Sequence, residues 1–224
     1  AVTPPSATPV TPTTVVPATS TPTATLVPGW GIQGRVTENG VGVSGVLLTL
    51  VRIVGSDEEH VAQTRTGTEG RYSFWNAPAL APGESYYVQY PNDENDPDRV
   101  AYWFGPDIAA YGELWAVHGG DFDIADVELL SPSGGMSMWL PAEFRWARRT
   151  FGPHRYRWML TDRETGRRWT SGDLGDRGDF TLAALPDGAA YDREYWWTVW
   201  VYVAPDSYGV ASVSHPLTFM RSVK

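Results

Sequence analysis

Tyr195-Trp196-Trp197-Thr198-Val199-Trp200-Val201-Tyr202-Val203 is the most aromatic and β-branched run in the chain, and such side chains favour extended strands. Strand side chains alternate between two faces. Tyr195, Trp197, Val199, Val201 and Val203 therefore point one way, and Trp196, Thr198, Trp200 and Tyr202 point the other. A strand with one wet face alternates cleanly between apolar and polar residues. Here both sets are apolar or amphipathic. A domain core covers one set, and something else has to cover the second.

The rest of the chain repeats this β pattern in shorter pieces. Gly31–Thr37 alternates and runs into Glu38-Asn39-Gly40, and Asn-Gly is a strong tight-turn signal. Val43–Val54 reads as a buried strand, His60–Thr66 alternates, and Thr68-Glu69-Gly70 reads as a turn. Arg71–Trp75 and Ser85–Tyr90 read as strands around Pro82-Gly83. Asp107–Val117 has the length of a short helix, weakened by Gly112. Asp121–Leu129 alternates acidic with apolar residues and reads as a closing strand. Ser131-Pro132-Ser133-Gly134-Gly135 is a breaker cluster. Beyond it come Glu143–Trp146, Tyr156–Leu160, Arg167–Thr170, Phe180–Leu182, the aromatic strand and Ser212–Met220. Short strands spaced by turns point to sandwiches. The expected fold is all-β: two tandem Ig-like β-sandwich domains, over 29–130 and 131–224, preceded by an extended Thr/Pro-rich segment over 1–28.

That first segment carries prolines at 4, 5, 9, 12, 17, 22 and 28. Each removes an N–H and fixes φ, which excludes a helix or a central strand. Polyproline II is the expectation, reaching on the order of 85 Å over 28 residues. Thr8, Thr11, Thr13, Thr14, Thr19, Thr21 and Thr23 are candidate O-glycan carriers, as in Ser/Thr/Pro stalks. Val10, Val15, Val16, Leu26, Val27 and Trp30 are the side chains with which the segment would dock on a neighbouring subunit. A free linker is the plainer alternative.

The formal net charge of -9 argues against nucleic-acid binding, which wants a basic footprint. With no cysteine there is no disulfide, thiol catalyst or Cys-based zinc site. No apolar run approaches a membrane span of roughly 18 residues. The sequence begins at Ala1 without Met and without a charged-then-apolar signal sequence, as expected of a secreted protein after signal-peptide removal. The expected location is extracellular, at the cell surface. A single lysine, Lys224, against many arginines fits a thermophilic or GC-rich source.

The order I-x-G-x-V, G-V-x-V-S-G-V-x-L-x-L, T-x-T-x-x-x-G-x-Y-S-F and P-G-x-x-Y-x-V over Ile32–Tyr90 resembles the prealbumin-like domains, which include carboxypeptidase regulatory-like and collagen-adhesin B-type repeats. That resemblance implies a structural or adhesive role. Some members carry a Lys–Asn isopeptide bond, which cannot form here because no lysine precedes Lys224. In the second half, F-x-W, Y-x-W-x-L, L-P-x-G and Y-x-W-x-V resemble fibronectin type III-like domains, and the resemblance implies a tyrosine-corner residue. Spacing from Leu185 favours Tyr191; alternation favours Tyr195. In such a fold the Tyr156 and Tyr195 strands are neighbours, setting Arg155, Arg157 and Met159 beside Trp196, Trp200 and Tyr202 on the outward face. Three readings compete for Trp196, Trp200, Tyr202 and Arg157: arginines stacking on their own rings, a subunit contact, or a platform for sugar rings.

Signals for chemistry are sparse. His60, His118, His154 and His215 show no metal-binding spacing, and there is no nucleophile elbow or phosphate-binding loop. Asp93, Asn95, Asp96 and Asp98 are calcium candidates, but Pro97 breaks the usual loop pattern and a solvated acidic turn competes. The expectation is a non-enzymatic protein with no cofactor and no nucleic-acid partner. Its partner would be itself, as a secreted structural subunit building a filament or surface appendage. The alternative is a glycan-binding or spacer module of a secreted multidomain hydrolase.

Overall fold

A computed structural model describes residues 31–112, 116–152 and 154–221. The leader 1–30 lies outside the described residues, and with it the Thr glycan candidates and the docking side chains from Val10 to Trp30. Among the described residues the chain is all-β. The strands are β1 (Gly31–Glu38), β2 (Val41–Gly42), β3 (Leu47–Val54), β4 (Asp57–Arg65), β5 (Arg71–Phe74), β6 (Glu84–Pro91), β7 (Tyr102–Phe104), β8 (Ala116–Asp123), β9 (Leu129–Ser131), β10 (Met136–Met138), β11 (Ala142–Trp146), β12 (Arg155–Asp162), β13 (Arg168–Thr170), β14 (Asp179–Leu182), β15 (Glu194–Ala204), β16 (Ser207–Val210) and β17 (His215–Phe219).

Among the described residues of 107–117 the expected short helix is absent. Ile108 is held extended by a bridge to Tyr86, and Ala116 already opens β8. The expected strand over 121–129 is divided: Asp121–Asp123 end β8, Ala125 bridges Arg99, and Leu129 begins β9. The Asn39-Gly40 turn forms as read, with positive φ at both residues.

Three sheets result. In the first, β1 pairs antiparallel with β5 and β2 and in parallel with β8. The third runs β14-β11-β9. The second is a ten-stranded sheet, β10-β17-β15-β16-β7-β6-β3-β4, with β12 also on β15 and β13 on β12. Its length follows from β15. The first residues of that strand pair with β17, its last residues with β16, and β16 pairs onward with β7. The N-terminal and C-terminal halves thus share one hydrogen-bonded ladder.

Alternation decides what this sheet buries. On the inner face of β15, Tyr195, Trp197, Val199 and Val201 are fully buried, packed with Phe144, Trp158 and Phe219. In the other half Leu48, Leu50, Tyr86, Val88 and Trp103 meet Ile32, Val36, Tyr72 and Phe122. These residues form one contiguous hydrophobic cluster. Tyr195 resolves the corner: its hydroxyl donates to the Ala190 carbonyl and accepts from the Ala190 N–H, each at 2.8 Å, while Tyr191 is exposed. A tyrosine corner ties the start of a strand to the chain a few residues upstream in this way.

The seam between the halves is also held by side chains. Trp103 Nε1 donates to Ser207 Oγ at 3.0 Å, and the Ser212 N–H donates to Asp126 at 2.8 Å. The Arg149 guanidinium is buried over the Trp103 ring and donates to the carbonyls of Asp123, at 2.9 Å, and Ala125. Burial lowers its pKa, with Asp123 and Asp126 opposing. Asp123 is itself consumed structurally: its carboxylate accepts from the Thr37 hydroxyl and the backbone N–H groups of Asn39, Gly40 and Ala125.

Candidate binding face

The outer face of the ten-stranded sheet carries the residues singled out by alternation. The β12–β15 register sets Arg155 opposite Tyr202, Arg157 opposite Trp200, Met159 opposite Thr198 and Thr161 opposite Trp196. Arg157, Trp200 and Tyr202 come together, with the guanidinium 4.9 Å from the Tyr202 ring centroid and the Trp200 and Tyr202 rings 6.2 Å apart. Trp196 stands apart near the start of the strand, exposed and stacked by Arg163 at 5.5 Å. Self-stacking by arginine is therefore part of the answer to what covers these rings.

The larger part comes from strands that sequence reasoning did not place beside β15. Tyr208 on β16 stacks flat on Trp200, with centroids 5.0 Å apart and planes 13° from parallel. Tyr208 also meets Tyr202 at 5.3 Å and Phe104 at 5.2 Å. Phe104 meets Tyr102 at 5.0 Å and Tyr87 at 5.6 Å. The band Arg157–Tyr202–Trp200–Tyr208–Phe104–Tyr102–Tyr87 thus crosses the seam. The available signal was Tyr102-Trp103-Phe104, an aromatic triplet whose outer members flank a core residue at strand spacing.

Partial burial gives the band its electrostatic character. Desolvation pushes the Tyr202 hydroxyl up to about 12 and raises those of Tyr87, Tyr102 and Tyr208. These groups are neutral donors at physiological pH. Trp200 Nε1 and Arg157 Nε, opposite one another on adjacent strands, are buried without a hydrogen-bond acceptor. A notch of about 100 Å³ opens at the end of the band between Arg155, Arg157, Asp173, Tyr202 and Pro205. Arg155 is paired with Asp173 at its rim.

The acidic run Asn92–Asp98 forms a self-bonded turn. Asn92 Oδ1 accepts from the Asp96 N–H at 3.0 Å, and Asn92 Nδ2 donates to the Asp96 carbonyl at 2.8 Å. Of the four calcium candidates, Asp96 caps the Asp98 N–H and faces Arg99, the Asp93 carbonyl accepts from Asn95, and Asp98 offers its N–H. Among the described residues no group of three or more His, Asp or Glu side chains is arranged to hold a metal ion. The histidines are dispersed. His60 lies on β4, His118 contacts Asp121 at 3.2 Å, and His215 contacts the Pro132 carbonyl at 3.1 Å. His154 is buried beside a groove of about 370 Å³ lined by Arg35, Asp121, Phe122, Phe151 and Val203. Burial, helped by Arg149, pushes its pKa down to about 4.

No family model matches the chain, and the curated proteins contain no sequence match to it. Solved structures that are similar include a DUF3823 family protein from Bacteroides ovatus, at 15% identity and a TM-score of 0.33, with 85% of this chain and 99% of that chain covered. A likeness of that size carries no argument about site or activity. Among the described residues no helix is long and apolar enough to cross a membrane.

Proposed function

We propose that this chain is a non-catalytic, secreted structural subunit that assembles with copies of itself into an extracellular filament or surface appendage. The observation that carries the reading is the aromatic band, which runs unbroken from Arg157 to Tyr87 across both halves of the molecule. Trp, Tyr and Arg are the residues enriched at interface hot spots; Tyr87 and Tyr202 are buried within the chain, and the half-buried Trp200, Tyr208, Phe104 and Tyr102 carry the surface left for a contact. The shared ladder supports a load-bearing role, because the halves are joined by strand pairing as well as by a connecting peptide. In this reading residues 29–130 are a prealbumin-like unit and 131–224 a fibronectin type III-like unit; the Tyr195 corner supports the second. A contact between unlike surfaces propagates into a fibre when its rotation does not close.

Sedimentation velocity over a range of concentrations tests this reading. The chain is expected to associate as concentration rises, and Tyr208→Arg, on the band, to suppress association while leaving the circular dichroism spectrum unchanged. A chain that stays monomeric throughout overturns it. The exposed indole of Trp196 favours a second reading, a glycan-binding or spacer module of a secreted hydrolase. Glycan-array binding abolished by Trp196→Ala is the result that would favour it.

A further inference from the structure

We infer that the Trp200–Tyr202–Tyr208 end of the aromatic band is the acceptor for the Pro-rich leader, donated by a second copy of this chain. The inference rests on the self-assembly reading and names its contact.

Three observations converge. First, the face offers rings of the right kind: Trp200, Tyr208, Phe104 and Tyr102 stand half-buried along it, each with surface left to cover. A polyproline II strand makes no internal hydrogen bonds, so its carbonyls are free to accept. Grooves that read such strands are lined with aromatic rings, as this face is. Second, the leader has the matching chemistry. It is uncharged up to Arg35, and Pro9-Val10-Thr11-Pro12 is a P-x-x-P run whose prolines fall on one ridge at three residues per turn. The notch of about 100 Å³ beside Tyr202 is sized for a single side chain such as a proline ring. Third, the leader is attached on the far layer. It joins β1, in the sheet that packs against the inner face of the ten-stranded sheet, while the aromatic band points outward. Its extended reach of about 85 Å over 28 residues exceeds the ~10 Å spacing of stacked sheets. A leader leaving one molecule is thus long enough to lie on the outer face of the next.

The test titrates a fluorescently labelled synthetic peptide of residues 3–28 into the full chain, below the concentration at which it associates, and follows anisotropy. Saturable binding is expected. Trp200→Phe, which replaces the indole with a smaller ring and so cuts the stacking surface, should weaken it about three- to tenfold, the size of a diminished aromatic contact. Trp75→Phe, at an exposed indole on β5's end, should leave it unchanged, and a thermal melt shows that both variants are folded. Excess unlabelled peptide should dissolve the assemblies. Absence of binding, or equal binding by wild type and Trp200→Phe, overturns the inference. Assemblies that the peptide leaves intact also overturn it, in favour of a face-to-face contact, while the self-assembly reading survives. Selective peptide binding by a chain that never associates has the reverse meaning: it overturns donation by a second copy together with the filament.

Discussion

Trp200 and Tyr208 lie flat against each other, 5.0 Å between ring centroids, on strands that meet where the two halves of the chain join. The pair belongs to the outer band, and the strand that carries Tyr208 also holds the seam, through Ser207 to Trp103 and through its pairing with β7. The surface proposed to bind and the ladder that makes the molecule one piece are thus the same local structure.

The seam makes unfolding a joint event. Because β16 pairs with both β15 and β7, and the buried residues form one cluster, denaturant should unfold the chain in a single transition. Gly209 sits against the Trp103 ring, where an added Cβ would overlap the indole. Gly209→Ala should cost about 1–3 kcal/mol, the usual penalty for overpacking. Tryptophan fluorescence and far-ultraviolet circular dichroism should report the same shifted midpoint. Two separated transitions would show that the halves unfold independently.

Removing the Arg149 side chain should be more damaging. It would leave the Asp123 and Ala125 carbonyls without their donors and Asp123 without a nearby cation. Arg149→Ala should cost about 3 kcal/mol, within the range for breaking a buried charged contact. Urea denaturation measures this directly.

His154 sets an acid limb. Its folded pKa, near 4, lies below the ordinary value of 6.5, so between those values the unfolded chain binds a proton that the folded chain refuses. Stability from this residue is complete above pH 6.5 and is lost as pH falls toward 4, by about 3 kcal/mol. His118 acts in the opposite sense. Its hydrogen bond to Asp121 raises its pKa, so its contribution is present at low pH and fades as pH rises through the folded value. His154→Gln should flatten the stability profile between pH 4 and 6.5, read from melting temperature against pH.

The corner can be weighed by one oxygen atom. Tyr195→Phe leaves the ring in the core but strands the Ala190 N–H and carbonyl. The expected loss is about 0.5–1.5 kcal/mol, the net worth of a hydrogen bond at a half-buried site. Tyr191→Phe, at an exposed site, should change the melt by less than about 0.5 kcal/mol.

Much of this was legible in the sequence because alternation records burial residue by residue. It placed Tyr195, Trp197, Val199 and Val201 on the core face of β15, failing at Val203, which is exposed where the register shifts after Tyr202, and the same alternation favoured Tyr195 over Tyr191 at the corner. It also placed Arg157 with Trp200 and Tyr202. Which strand lies beside which is a different kind of information. Tyr102–Phe104 is three residues long, and its partners Tyr208–Val210 lie about a hundred positions away, so neither local propensity nor turn chemistry announced the pairing. Tyr208, Phe104, Tyr102 and Tyr87 were missed as members of the face for that reason. The start of the supposed helix over 107–117 failed through tertiary override: a backbone bridge from Tyr86 to Ile108 outweighs a weak local preference.

Electron microscopy of the purified full chain tests self-assembly through the aromatic face most directly. The account predicts filaments for the wild type and their loss in Tyr208→Arg, with the variant still folded. A field of uniform, single-chain particles for the wild type, at every concentration and salt condition tried, would contradict it.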